Sequence, residues 1–340
     1  MSLVRRFGPR PDAPELLALR ALKLGDLLVA VPAVRALRRA HPEHELVLAV
    51  PEWLEPVVAL VGGVDVLLPT RGLDDPLPVE PGRVDVAVNL HGSGPESRGL
   101  IALLEARREI VHHVDGWEGG TPWVHGVLER VRWTRLLADH GIPADPDDVG
   151  LLVPPVEPVA RGAAVVHVGA FYGSRQWPVD RFARVARALA DEGREVLLTG
   201  SAAEGPRALE VAALAGLPQA AVVAGELGLT EFAALVAAAS LVVSADTGAA
   251  HLASAYGIPS VVLFGPAPPE EWGPPPGPHV VLTDASVRRG ETFAPDPDPA
   301  LLAVTVDDVL AAVRSLDGVA PRPPAVDLAP AAPGAAVPAP

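Results

Sequence analysis

Three short segments hold residue types that could bind and transfer a charged group. The first is Ser244-Ala245-Asp246-Thr247-Gly248-Ala249-Ala250-His251. Gly248, Ala249 and Ala250 are small, so a ligand could approach the start of a following helix closely. Backbone N–H groups and the helix dipole there favour an anion. Thr247 adds a hydroxyl, and His251, one turn in, either donates to a phosphate or braces the loop. The same spacing equally describes an ordinary helix start, with Asp246 or Thr247 as cap and His251 as a satisfied buried side chain. Spacing alone leaves those two readings even.

The second segment is Ser174-Arg175-Gln176-Trp177-Pro178, which follows the apolar run ending Val165-Val166-His167-Val168. Arg175 sits on a loop where a diphosphate could rest, and charge-assisted contacts to phosphate are the strong kind. A surface arginine, with Trp177 packing the loop onto its domain, is the simpler reading of that stretch alone. The third is Lys23-Leu24-Gly25-Asp26. Gly25 permits a sharp turn and Asp26 falls where a helix is capped. Asp26 is then either only a cap or a carboxylate that takes a proton from an attacking hydroxyl, the work of a general base. His91 and Gly92, directly after another apolar run, are candidates on the acceptor side. Phe264-Gly265-Pro266-Ala267-Pro268 and Glu271-Trp272-Gly273-Pro274 make a rigid Gly/Pro loop that would neighbour Asp246–His251, or a purely structural turn.

Such residues need strands that end where they begin. Candidate strands are Leu16–Leu22, Glu45–Val50, Asp65–Leu68, Asp85–Leu90, Glu109–His113, Ala163–Val168, Glu195–Thr199, Ala221–Ala224, Leu241–Ser244 and Ser260–Phe264. Most are continuous Val/Leu runs, the pattern of parallel strands buried on both faces. Helical patterns alternate with them: Leu27–Ala40, Arg98–Arg107, Val124–His140, Val179–Glu192, Glu204–Ala215, Thr230–Ala239 and Ala249–Tyr256. The expected class is α/β, with parallel sheets. Pro154, Pro155 and Pro158 interrupt the alternation and mark residues 153–162 as a linker. The expected organisation is a flexible arm over 1–14, Rossmann-like domains over 15–152 and 163–317, and a disordered Pro/Ala tail over 318–340. Two such sheets facing each other would leave a ligand cleft beyond the carboxyl ends of their strands.

Composition narrows the partners. With 27 basic and 42 acidic residues the formal charge is −15, the wrong sign for general nucleic-acid binding. No cysteine is present, which excludes disulfides, thiolate zinc sites and a cysteine nucleophile. No apolar run reaches the roughly 18 residues of a membrane-spanning helix, and no apolar stretch of signal-peptide type follows the N-terminus. The expected location is the cytoplasm, including the inner face of a membrane through peripheral association. Neither domain carries a GxGxxG after its first strand, which disfavours an NAD-dependent oxidoreductase.

The segments together resemble glycosyltransferase family 9, the ADP-heptose–lipopolysaccharide heptosyltransferases. The resemblance rests on Gly25-Asp26, Pro32, Leu37-Arg38 and His41-Pro42, then Arg175-Gln176-Trp177-Pro178. It continues through Asp246-Thr247-Gly248-Ala249-Ala250-His251-Leu252-Ala253, Phe264-Gly265-Pro266 and Trp272-Gly273-Pro274. It implies a GT-B fold, with the acceptor on the N-terminal half and the nucleotide sugar on the C-terminal half. It also implies an inverting reaction without a metal or other cofactor, the ADP-sugar being a substrate. Asp296-Pro297-Asp298, in a proline-rich stretch, is accordingly taken as a turn. By the same resemblance Asp26 is the base, and Arg175 stands for the family's phosphate-binding lysine. Thr247, Gly248 and His251 hold the diphosphate, with Ala249 and Ala250 supplying donors. Glu204 falls near the ribose, while Gly25 and Asp246 complete the donor side. The acceptor would be a glycan, a glycolipid or a metabolite. The alternatives are a GT-B transferase or epimerase using another nucleotide sugar, and a non-catalytic nucleotide-sugar-binding protein.

Overall fold

The computed structural model describes residues 4–5, 13–326 and 328. The chain divides into two compact units, one of Met1–Leu152 with Ala325–Pro340 and one of Val153–Pro324. Most of the arm expected over 1–14, and the tail residues 327 and 329–340, lie outside the described residues.

The first unit runs β1 (Val4–Arg5), β2 (Glu15–Leu19), α1 (Leu24–Ala40), β3 (Glu45–Val50), α2 (Glu55–Val61) and β4 (Val66–Pro69). It continues with β5 (Val84–Asn89), α3 (Pro95–Ala102), β6 (Arg108–Ile110) and α4 (Glu129–Asp139). Its sheet is parallel throughout, in the order β1-β4-β3-β2-β5-β6. Every residue of β2 and β3 is buried, which is why both are unbroken runs rather than alternating ones. β2 lies between β3 and β5, so the strand order reverses there. The crevice beyond the carboxyl ends of β2 and β5 is the place such a sheet offers a ligand; Arg20–Leu22 and Leu90–Gly92 occupy it.

The second unit holds β7 (Ala164–His167), α5 (Val179–Asp191), β8 (Val196–Thr199), α6 (Gly205–Ala215), α7 (Leu229–Ala237), β9 (Leu241–Ala245) and α8 (Gly248–Ala255). After these come β10 (Ser260–Leu263), α9 (Pro269–Trp272), β11 (His279–Leu282), α10 (Pro299–Ala303) and α11 (Val306–Ser315). These strands are also parallel, in the order β11-β10-β9-β7-β8. The reversal falls between β7 and β9, and its carboxyl edge is formed by Val168-Gly169 and Asp246-Thr247. Trp177 is fully buried in the core of this unit, edge-on to Phe182 at 5.0 Å, with Nε1 donating to Val304 O at 3.1 Å. The Trp-Pro pair is therefore a packing element.

Several elements differ from the sequence expectation. Ala221–Ala224 is not a strand: a single 3₁₀ turn over Gln219–Ala221 leads to one isolated bridge, Leu198 to Val222. Gly225, at φ 79°, turns the chain away before a ladder can form. The helix expected over Arg98–Arg107 is α3, which ends at Ala102, and Glu105 at φ 46° reverses the chain into β6. Arg107 thus leaves that helix, and Arg108 begins β6. β11 and α11 were not anticipated, although His279-Val280-Val281-Leu282 carries the same apolar signal as the other strands. A one-turn helix, α9, interrupts the loop expected to be wholly Gly/Pro-shaped. After α11, the described segment includes Arg322, whose N–H donates to Gly257 O at 2.9 Å. Among the described residues no helix is long and apolar enough to cross a membrane.

Candidate active site

In the second unit β9 delivers Asp246 to the carboxyl edge, and Thr247 begins α8. Thr247 is the N-cap, its Oγ1 accepting from Ala249 N at 3.3 Å and lying 2.8 Å from Ser244 Oγ. Asp246 is free of capping duty. It is 3% exposed, with Oδ2 3.1 Å from Arg175 Nη1 and Oδ1 3.7 Å from His251 Nε2. Arg175 Nη1 also donates to the Asp246 carbonyl at 3.2 Å. One buried carboxylate thus gathers both candidate donors. Arg175 Nε has no hydrogen-bond partner among the described residues, and a buried donor in that condition asks for a ligand or water; Asp246 Oδ2 keeps its ion pair with Arg175 Nη1. The amides of the first turn are more engaged than expected. Ala249 N serves the cap, while Ala250 N and His251 N reach Thr247 O at 3.1 and 3.4 Å.

The turn holding Arg175 is strapped down by a distant segment. Ser174 is fully buried, its N–H donating to Ala294 O at 3.0 Å and its Oγ to Thr292 O at 2.5 Å. Asp298 N returns a bond to Ser174 O at 3.0 Å. Gly173 is required here, because a Cβ would overlap the Pro295 carbonyl. Asp298 caps α10, accepting from Ala300 N at 2.9 Å and Gly290 N at 3.0 Å. Glu204 stands directly before α6. Its Oε2 accepts from Ser201 N at 2.7 Å, and a Cβ on Gly169 would overlap its carboxylate. It faces His167, whose Nδ1 is 2.9 Å from Thr199 Oγ1.

In the first unit Asp26 is not the cap of α1. The N-cap is Lys23, and Asp26 stands three residues on, its Oδ2 accepting from Lys23 N at 3.2 Å. Gly25 is helical rather than a positive-φ turn residue. The helix starts earlier than expected because Asp26 reaches back to satisfy that N–H. Asp26 Oδ1 lies 3.7 Å from Nη2 of Arg20, a residue the sequence reading passed over. Arg20 is 1% exposed, and burial pulls its pKa down while Asp26 and Glu129 pull it back up. Its Nε donates to Asp26 O at 2.9 Å and its Nη1 to Leu90 O at 2.5 Å. Glu129 Oε2 is 4.0 Å from Nη2, and the guanidinium lies 4.8 Å from the Trp133 ring centroid.

His91 follows Leu90. Burial first, then the nearby Arg20, hold it down at about 4 against the pull of Asp26, so its ring is neutral at neutral pH. Its buried Nδ1 has no hydrogen-bond partner among the described residues, and its N–H donates to Asn89 Oδ1 at 3.0 Å. Gly92 is half-buried beside it. Glu129 also accepts from Arg132 Nε at 2.7 Å, and Arg132 lies 4.0 Å over Trp123. Trp133 Nε1 and His112 Nε2 are buried without hydrogen-bond partners among the described residues, their rings 5.7 Å apart. The sequence signal for this group was the Glu129-Arg130-Val131-Arg132-Trp133 stretch, an unusual set of polar and aromatic residues on the inner face of α4.

Burial holds His41, His91, His112, His167 and His279 at about 4. The unfolded chain protonates its histidines near 6.5, so it binds more protons than the folded one between about 6.5 and 4. Stability is expected to be unaffected by these groups above pH 6.5 and to fall as pH drops through that window. Urea midpoints measured from pH 7.5 to 4 check this; a flat profile would contradict the burial of these rings.

Residues 140–286 match glycosyltransferase family 9 (heptosyltransferase). The chain is 30% identical over 158 residues to lipopolysaccharide heptosyltransferase 2 of Salmonella typhimurium, an alignment spanning 44% of each protein. To the Escherichia coli protein of the same name it is 25% identical over 293 residues, covering 73% of this chain and 81% of that one. The chain thus spans less than half of the Salmonella relative and four-fifths of the Escherichia coli one. Among solved structures, Escherichia coli ADP-heptose lipopolysaccharide heptosyltransferase II superposes with a TM-score of 0.69 at 22% identity, over 89% of this chain and 98% of that one. That likeness establishes the α/β GT-B architecture.

Proposed function

We propose, from the match of residues 140–286 to glycosyltransferase family 9, that the chain is an inverting, metal-independent transferase. It would move a sugar, heptose from ADP-heptose, onto a hydroxyl of a glycan or glycolipid. The observation that carries this reading is Arg175. Its guanidinium stands at the β7/β9 reversal paired with Asp246, which also lies 3.7 Å from His251, and its buried Nε has no hydrogen-bond partner among the described residues, at the start of a helix whose dipole favours an anion. ADP-heptose, the sugar donor named for the Escherichia coli heptosyltransferase II, would bring a diphosphate there.

The chemistry follows from charge. The acceptor oxygen forms a bond to the anomeric carbon from the face opposite the diphosphate, and the bond from that carbon to the diphosphate oxygen breaks. The proton of the acceptor hydroxyl passes to the Asp26 carboxylate, and the electron pair leaves on the diphosphate. Arg175 and His251 meet the charge that develops there, when fixed donors are worth most. Neutral His91, beside Asp26, is placed to hydrogen-bond the acceptor without adding positive charge next to the base. Glu204 would meet the ribose hydroxyls.

Nucleotide selectivity tests the reading. ADP and ADP-heptose are expected to raise the melting temperature, with about 2.7 kcal/mol of added stability at a hundred times Kd. UDP and GDP are expected to add little. Stabilisation by UDP with none from ADP would sink the ADP-heptose donor.

A further inference from the structure

We propose that Arg20 is the positioning residue for Asp26, fixed between Asp26 and Glu129 so that the Asp26 carboxylate is held for proton transfer at the β2/β5 edge. This rests on the assignment of Asp26 as the base.

Two hydrogen bonds and two ion pairs define the role. Arg20 follows β2, donates through Nε to the carbonyl of Asp26 in the first turn of α1, and donates through Nη1 to the carbonyl of Leu90 after β5. One side chain therefore ties together the three segments that meet at the sheet reversal. Its remaining nitrogen, Nη2, makes no hydrogen bond among the described residues and instead lies 3.7 Å from Asp26 Oδ1 and 4.0 Å from Glu129 Oε2. Trp133, 1% exposed, closes the guanidinium face at 4.8 Å.

Glu129 gives this arrangement a purpose beyond packing. A buried guanidinium needs a counter-charge. Were Asp26 its sole partner, taking up the acceptor's proton would leave Arg20 uncompensated. Glu129, itself 8% exposed and bonded to Arg132, keeps a negative charge beside Arg20 while Asp26 becomes neutral. Among the described residues, the groups facing Asp26 include Arg20 from the end of β2, with Glu129 of α4 behind it, and the neutral His91 after β5; the Lys23 backbone N–H comes from its own helix.

A double-mutant cycle separates positioning from plain stability. Arg20→Gln and Asp26→Asn, singly and together, are assayed with ADP-heptose and a heptose-deficient lipopolysaccharide core saccharide, and ADP affinity is measured for each. Arg20→Gln is expected to lower kcat about 10–100-fold with ADP affinity unchanged, since groups acting as a unit lose most of their effect at the first substitution. The double variant should then be no slower than Asp26→Asn alone, and Arg20→Lys should recover part of the loss. Multiplying losses in the double variant overturn the proposal, because independent sites add in free energy. If Arg20→Gln does not fold, Arg20→Lys enters the same cycle with the same criterion. Near-normal turnover in Asp26→Asn removes the base assignment itself, an outcome distinct from multiplying losses.

Discussion

Asp26→Asn is expected to bind ADP as the parent protein does and to lose transfer about 10²–10⁴-fold, the range for removing a positioned general base. The substitution is nearly isosteric. An asparagine oxygen still accepts the Lys23 N–H that the aspartate accepts at 3.2 Å, so the start of α1 is kept. Arg20 retains Glu129 at 4.0 Å and both of its backbone acceptors, so no buried cation is orphaned. What disappears is the basicity of one oxygen. The loss should therefore fall on kcat, with melting temperature and nucleotide affinity little changed. Steady-state transfer assays beside calorimetric ADP titration make the comparison, and a folded variant with parental kcat would take Asp26 out of the reaction.

Arg175→Ala is expected to damage both donor affinity and turnover, by a different route. Charge-assisted hydrogen bonds are worth about 1.5–3 kcal/mol, so ADP affinity should fall roughly ten- to a hundredfold. Turnover should fall further, by about 10²–10³, if Arg175 serves the charge that develops on the leaving group. Removing Arg175 also leaves the buried Asp246 carboxylate with only His251, at 3.7 Å, which disfavours an incoming anion. Arg175→Lys keeps the charge but loses the planar fork, and should lie between parent and alanine variant. An alanine variant with parental ADP affinity would contradict the diphosphate assignment.

The two sites differ in how far the sequence exposed them. Asp246, Thr247 and His251 share one turn between an apolar strand and a short helix, so local spacing sufficed to single them out. The same spacing left the division of labour open. The structure made Thr247 the cap and released Asp246 to face Arg175, 71 residues away in the chain. Asp26 was legible as a functional candidate and misplaced as a cap, because nothing local says which residue will satisfy the first amide of a helix.

Arg20 was not legible at all. In the sequence it is one arginine after an apolar run; its meaning comes from Leu90, 70 residues on, and from Glu129 and Trp133 on α4. By itself the sequence determined most of the strands and helices and the parallel α/β class. Periodicity and apolar runs are local quantities, and burial on both faces of a parallel sheet imprints them directly. Only the tertiary structure decided which charges face one another. Desolvation makes a buried ion depend on whatever counter-charge the fold brings within about 4 Å, and no spacing along the chain encodes that distance.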